Sequence, residues 1–178
     1  MSLVTTLKKT GKKMSSALSG DKTDAADDAG TDVLDLLKKD HDDVKALLKK
    51  LVDGKTAAER KSLVRQIKAA LVPHVRAEEK IVYDAIIALR DKQPKQDGEE
   101  GYLEHALADK TLAGLDKTPN AMSPEFSAAA KVLKELVEHH VEEEESNVWS
   151  DVRKNFSDDE RAEMGRKFEA AKKKVRVP

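Results

Sequence analysis

His74-Val75-Arg76-Ala77-Glu78-Glu79 and its echo His140-Val141-Glu142-Glu143-Glu144-Glu145 decide how this chain folds. In each copy a histidine precedes a glutamate by four residues. On an α-helix that spacing sets both side chains on one face, a single turn apart. A ring nitrogen and a carboxylate so placed can close on one metal ion. The copies agree further, as His-Val-x-x-Glu-Glu-x-x-Val-aromatic, ending at Tyr83 and Trp149. Two related helices are therefore expected, with further ligands drawn from elsewhere in the chain.

Outward from these motifs the apolar rhythm is helical. Leu34, Leu37, His41, Val44, Leu48 and Leu51 keep a 3.6-residue period. They predict a first helix from about Thr31 to Val52, capped by Thr31 or Asp32 and stopped by Asp53-Gly54. The second helix is expected from about Thr56 to Leu89, with Leu63, Ile67, Leu71, His74, Glu78, Ile81 and Ala85 inward. Pro73 removes one backbone hydrogen bond and predicts a kink just before His74. Gln93 to Gly101 reads as a turn-rich connection. A shorter third helix, about Glu99 to Leu115, carries Tyr102, His105, Ala108 or Asp109, and Leu112. After a loop from Asp116 to Pro124, a fourth helix runs from about Ser123 to Asn155. Its inward residues are Leu133, Leu136, Val137, His140, Glu144 and Val148. Ser157 caps a fifth helix, Asp158 to about Val175, acidic at its start and Lys-rich at its end, as the helix dipole favours.

His41 lies 33 residues before His74, and His105 lies 35 before His140. Helices 1–2 and 3–4 therefore read as two versions of one hairpin. The fold expected is all-α: an antiparallel up-down four-helix bundle over 31–155, an extra C-terminal helix over 156–178, and an N-terminal arm over 1–30. In that arm Val4, Leu7, Gly11, Met14 and Leu18 form a weak stripe beside Lys8, Lys9, Lys12 and Lys13, before Ser19 to Gly30 break it.

Composition agrees with a helical domain. Charged residues make up 38% of the 178 and aromatics 3%, which favours long helices over sheets. A net charge of −1 supplies no global field to steer the protein onto nucleic acid. No apolar run approaches the roughly 20 residues that span a bilayer, so no stable membrane insertion is expected. The N-terminus lacks the apolar run of a secretory signal. Absence of cysteine removes disulfides, thiolate ligands and cysteine nucleophiles, and suits a reducing cytoplasm.

Six titratable side chains then fall on apolar seams: His41, His74, Glu78, His105, His140 and Glu144. Two carboxylates buried without partners cost several kcal/mol each, against a net domain stability of roughly 5–15 kcal/mol. Cations remove that cost. Four imidazoles and two carboxylates are too many for one tetrahedral zinc ion. They suit two octahedral first-row ions bridged by the glutamates, with iron the first choice. His139 sits about 100° off the seam and reads as a surface residue. Glu79, Glu143 and Glu145 read as a solvated face, with Glu79 and Glu145 able to accept from ligand imidazoles. Tyr102, one turn before His105, is within reach of the centre; Tyr83 and Trp149 are expected to point away from it.

The set His41, His74-x-x-x-Glu78, His105, His140-x-x-x-Glu144 resembles the hemerythrin-like, or HHE cation-binding, family over about Asp32 to Asn155. The resemblance implies a four-helix bundle holding a non-haem di-iron centre, two Fe ions with an oxo, hydroxo or carboxylate bridge. Members that carry oxygen reversibly have a fifth histidine four residues after the one on helix 3, where this chain has Asp109. The set is similar to that of bacterial members handling O2, peroxide or nitric oxide, with catalase- or peroxidase-like activity among the options. It is also similar to that of iron-centre repair proteins, whose N-terminal cysteine this chain lacks. The function expected is binding or processing of O2, H2O2 or NO at the iron pair. The alternative is iron or redox sensing, or iron donation, with the metal site as a switch.

Overall fold

The computed structural model describes residues 30–177, and the expected N-terminal arm, up to residue 29, lies outside the described residues. Among the described residues every regular element is helical. Helix α1 spans Val33–Asp53, α2 Ala57–Glu78, α3 Asp84–Ile87, α4 Lys92–Lys117, α5 Pro124–Glu143, α6 Trp149–Asn155 and α7 Asp158–Lys172. Two turns of π-helix, Glu79–Tyr83 and Glu144–Val148, join α2 to α3 and α5 to α6 without a break.

The helix starts follow from local chemistry. The Asp32 carboxylate accepts from the Leu34 N–H at 2.9 Å, and Thr56 and Ser123 accept from Glu59 and Phe126 N–H groups at 3.2 Å each. Each satisfies a backbone donor that has no intrahelical partner. Ser157 and Glu160 cap α7 reciprocally.

The turn-rich connection expected from Gln93 to Gly101 is instead the first part of α4, which starts at Lys92. Pro94 falls in the opening turn, where an N–H has no acceptor to lose. Gly98 and Gly101 are kept for room rather than for a turn. A Cβ on Gly98 would lie 2.7 Å from the Ile87 side chain, and one on Gly101 would lie 2.5 Å from the Tyr83 ring. Close packing of α4 on the preceding segment thus overrides the low helix propensity of glycine. Helix α2 continues through Pro73, and the change in winding falls later, in the π turn after Glu78.

Packing runs α1 on α2 and α5, α4 on α5 and α2, with α7 laid across α1 and α2. Two apolar clusters form the core. One gathers Val44, Leu48, Leu51, Ile67, Leu112, Phe126 and Leu133. The other gathers Val33, Leu37, Tyr83, Ile86, Trp149, Val152 and Phe168. Between them lies a polar layer. Helix α1 passes from Leu37 through His41 to Val44, and α2 with its following π turn passes from Leu71 through His74 and Glu78 to Val82. No helix among the described residues is long and apolar enough to cross a membrane.

Candidate metal centre

The polar layer brings all six sequence-predicted residues together. His41, His74, Glu78, His105, His140 and Glu144 are each buried, the most exposed being His140 at 8% and Glu78 reaching 0%. Each imidazole turns its Nε2 atom inward. Glu78 Oε2 stands 3.3 Å from His74 Nε2 and 3.4 Å from His105 Nε2. Glu144 Oε2 stands 3.1 Å from His41 Nε2 and 3.8 Å from His140 Nε2. Each carboxylate therefore reaches one imidazole of each hairpin. His105 Nε2 and His140 Nε2 are 3.1 Å apart, closer than two protonated nitrogens tolerate.

The outward nitrogens are held as regularly. His41 Nδ1 meets Glu145 Oε1 at 3.1 Å, His74 Nδ1 meets Asp40 Oδ2 at 3.1 Å, His105 Nδ1 meets Glu79 Oε1 at 3.3 Å, and His140 Nδ1 meets Glu104 Oε2 at 2.7 Å. A carboxylate accepting from Nδ1–H fixes the tautomer that leaves Nε2 free as a lone-pair donor. The pattern is two-fold. Asp40 and Glu104 each precede one histidine and hold the other histidine of their own hairpin. Glu79 and Glu145 each follow a cluster glutamate and hold a histidine of the opposite hairpin. The sequence pointed to Glu79 and Glu145; it missed Asp40 and Glu104, whose signal was an acidic residue immediately before His41 and His105.

Donors left over inside the layer define what it can bind. Both oxygens of Glu78, both of Glu144 and His41 Nε2 are buried without a hydrogen-bond partner. Unpartnered atoms of that kind are costly, and a cation is the partner their chemistry suits. His41, His74 and Glu78 have ligand atoms within 4.8 Å of one another, as do Glu78, His105 and His140. Two donor triads therefore share Glu78.

The electrostatics express the crowding. Burial and the neighbouring Glu78 push Glu144 well above the carboxylate range. Burial opposes ionisation of Glu78 too, but the nearby His74 charge holds it well below. Burial pulls His74 down, yet Glu78 and Asp40 outweigh it and raise the imidazole to about 9. Burial, followed by repulsion from His74, lowers His41 to about 3.

Tyr83 and Trp149, expected to face away, are turned inward. In an α-helix the residue five beyond a glutamate lies about 140° around the axis. The π turns, with bonds from i to i+5, bring those residues back toward the ligand face, a distortion often found at functional sites. Tyr83 stacks on His105 at 5.3 Å with its hydroxyl 3.5 Å from His140 Nε2, and Trp149 stacks on His41 at 6.0 Å. Tyr102 does not reach the layer: its hydroxyl donates to the Glu79 carbonyl and to Asp84. Asp109 pairs with Arg76 instead of filling a ligand position. His139 is 62% exposed, as its place off the seam predicted.

Against the four-histidine layer lies a cavity of about 20 Å³, walled mainly by Val44, Leu71, Val75, Ala108, Val137 and Val141. It has room for a water-sized or diatomic guest.

Residues 32–149, which contain all six residues, match the family described as the hemerythrin HHE cation binding domain. A protein of Nostoc sp. (strain PCC 7120) named DNA nickase is 27% identical over 153 residues, 86% of this chain and 42% of that relative. The chain thus spans less than half the length of this curated relative. No solved structure matches it.

Proposed function

Because the chain belongs to the hemerythrin HHE cation binding domain family, we propose that it is a non-haem di-iron protein that binds or processes O2, peroxide or nitric oxide. The observation that carries this reading is the buried layer of unpartnered Glu78 and Glu144 oxygens facing four inward Nε2 atoms. In the same reading α1, α2, α4 and α5 form an antiparallel up-down bundle. Support comes from the alternating order in which α1 and α2 traverse the two apolar clusters.

His41, His74 and Glu78 would hold one iron, and Glu78, His105 and His140 the other, with Glu144 a further donor beside His41 and His140. Bound there, the ions supply open coordination positions and one-electron redox change. The chain supplies the rest. Its four Nδ1 anchors keep the imidazoles aimed. Its apolar cavity admits a small guest and restricts bulk water. The Tyr83 ring packs on His105 with its hydroxyl beside His140, which buttresses that pair of imidazoles.

The name of the Nostoc relative suggests a second activity, cutting one DNA strand. Glu78 and Glu144 are at most 2% exposed, so a phosphodiester cannot reach them without opening the helices. The buried layer is assigned no nucleic acid. Metal analysis with an optical spectrum, before and after peroxide, tests the proposal. Two irons per chain and a spectrum that responds to peroxide are expected. An iron-free protein with an unresponsive spectrum would reject it.

A further inference from the structure

The two-fold pattern of the centre breaks on one side, and the break places a second group of cation donors at the surface. Aligning His140 with His74, and His105 with His41, pairs His139 with Pro73, Glu143 with Ala77, Asp97 with Val33 and Glu100 with Leu36. On the α1–α2 side these positions are apolar, and Val33, Leu36 and Ala77 pack in one cluster with Met164 and Phe168 of α7. There Lys172 Nζ caps Asp40 at 2.5 Å, and the Phe168 ring stands edge-on to His74 at 5.9 Å. On the α4–α5 side no such cover is present among the described residues. A narrow cleft of about 20 Å³ opens instead, with Asp97, Glu100, Glu104 and Glu143 around it and His140 and Glu144 within. Among the described residues lining it, none is a lysine or arginine.

We propose that Glu104, His139 and Glu143 form a solvent-facing divalent-cation site that feeds the buried centre through this cleft. His139 Nε2 lies 3.8 Å from Glu104 Oε1 and 3.6 Å from Glu143 Oε2. Their ligand atoms all fall within 4.8 Å of one another. One imidazole with two carboxylates suits a borderline first-row cation that keeps several of its waters. Glu104 is the link: while Oε1 faces His139, its Oε2 accepts from His140 Nδ1 at 2.7 Å. A second observation points inward. Glu144 lines the cleft, is 2% exposed, and leaves both oxygens without a partner. A cation held by Glu104 and Glu143 therefore shares one cleft with a drier donor, Glu144. Uncompensated carboxylates along a low-dielectric cleft concentrate cations and raise their arrival rate.

The transfer half of this inference rests on the buried centre being a cation site, whereas the surface site does not. The test compares the full chain with its His139→Ala/Glu143→Gln variant, whose replaced side chains, His139 exposed and Glu143 half-buried, lie outside the apolar clusters. Weak Mn2+ binding is counted by electron paramagnetic resonance, and anaerobic Fe2+ loading is followed in time, with iron measured after desalting. The expected result is loss of one weakly held Mn2+ and loading slowed about tenfold, with final iron content unchanged. Equal Mn2+ binding and equal loading rates in the two proteins would overturn the proposal. Absence of iron from both desalted proteins would reject the buried centre, and the Mn2+ comparison alone would then decide the surface site.

Discussion

Replacing Glu144 by methionine separates the cost of the polar layer from its use. Glu144 is 2% exposed, both its oxygens lack partners, and it faces the equally buried Glu78. Exchanging a buried polar group that lacks a partner for an apolar side chain of similar volume removes a desolvation cost of about 1–3 kcal/mol. The metal-free Glu144→Met protein should therefore gain stability, on the order of 2 kcal/mol. For a domain of this size that raises Tm by about 4–8 °C. Iron should reverse the ranking. Saturation at about a hundred times the dissociation constant adds about 2.7 kcal/mol per site to the native protein, and the variant, lacking one of the two buried carboxylates, should gain little. Thermal unfolding by circular dichroism, in chelator and in anaerobic Fe2+, reads all four states. A metal-free variant less stable than the parent, or one that iron stabilises equally, would refute the reasoning.

Other substitutions follow from the same geometry. Asp40→Asn keeps the shape but removes the charged acceptor of His74 Nδ1. Metal affinity should fall about 10–100-fold, as read by competition with a chelator. Gly101→Ala drives a methyl to 2.5 Å from the Tyr83 ring. Despite the better helix propensity of alanine, a net loss of about 1–2 kcal/mol in urea unfolding is expected. Loading must displace a proton from His74, whose value is raised to about 9, and another from Glu144, held well above the carboxylate range. Apparent affinity should therefore climb with pH up to about 9, by about tenfold per unit for each proton released; isothermal titration in buffers of different ionisation enthalpy counts those protons.

The cluster was legible because its chemistry is periodic. Four histidines at seam positions of four helices, two followed by glutamate at i+4, name one layer, and all six side chains meet in it. Asp40 and Glu104 were less visible, since their carboxylates act across to a neighbouring helix rather than along their own. Tyr83 and Trp149 were misplaced for a local reason. A uniform 3.6-residue period carries them away from the layer, and only the π turns after Glu78 and Glu144 return them. The early start of α4 hid behind Pro94, Gly98 and Gly101, residues that signal a turn in isolation. Here the glycines answer to Ile87 and Tyr83, contacts that no local pattern contains. The starts of α1, α2, α5 and α7 were the most readable feature, because Asp32, Thr56, Ser123 and Ser157, at or beside the expected starts, act on backbone within three residues.

Iron content of the desalted protein, measured beside that of its Glu78→Ala counterpart, tests the central claim most directly. Two irons per chain in the native protein and none retained in the variant are predicted. A native protein without iron, or a variant that still holds two, would contradict a centre built on the shared glutamates.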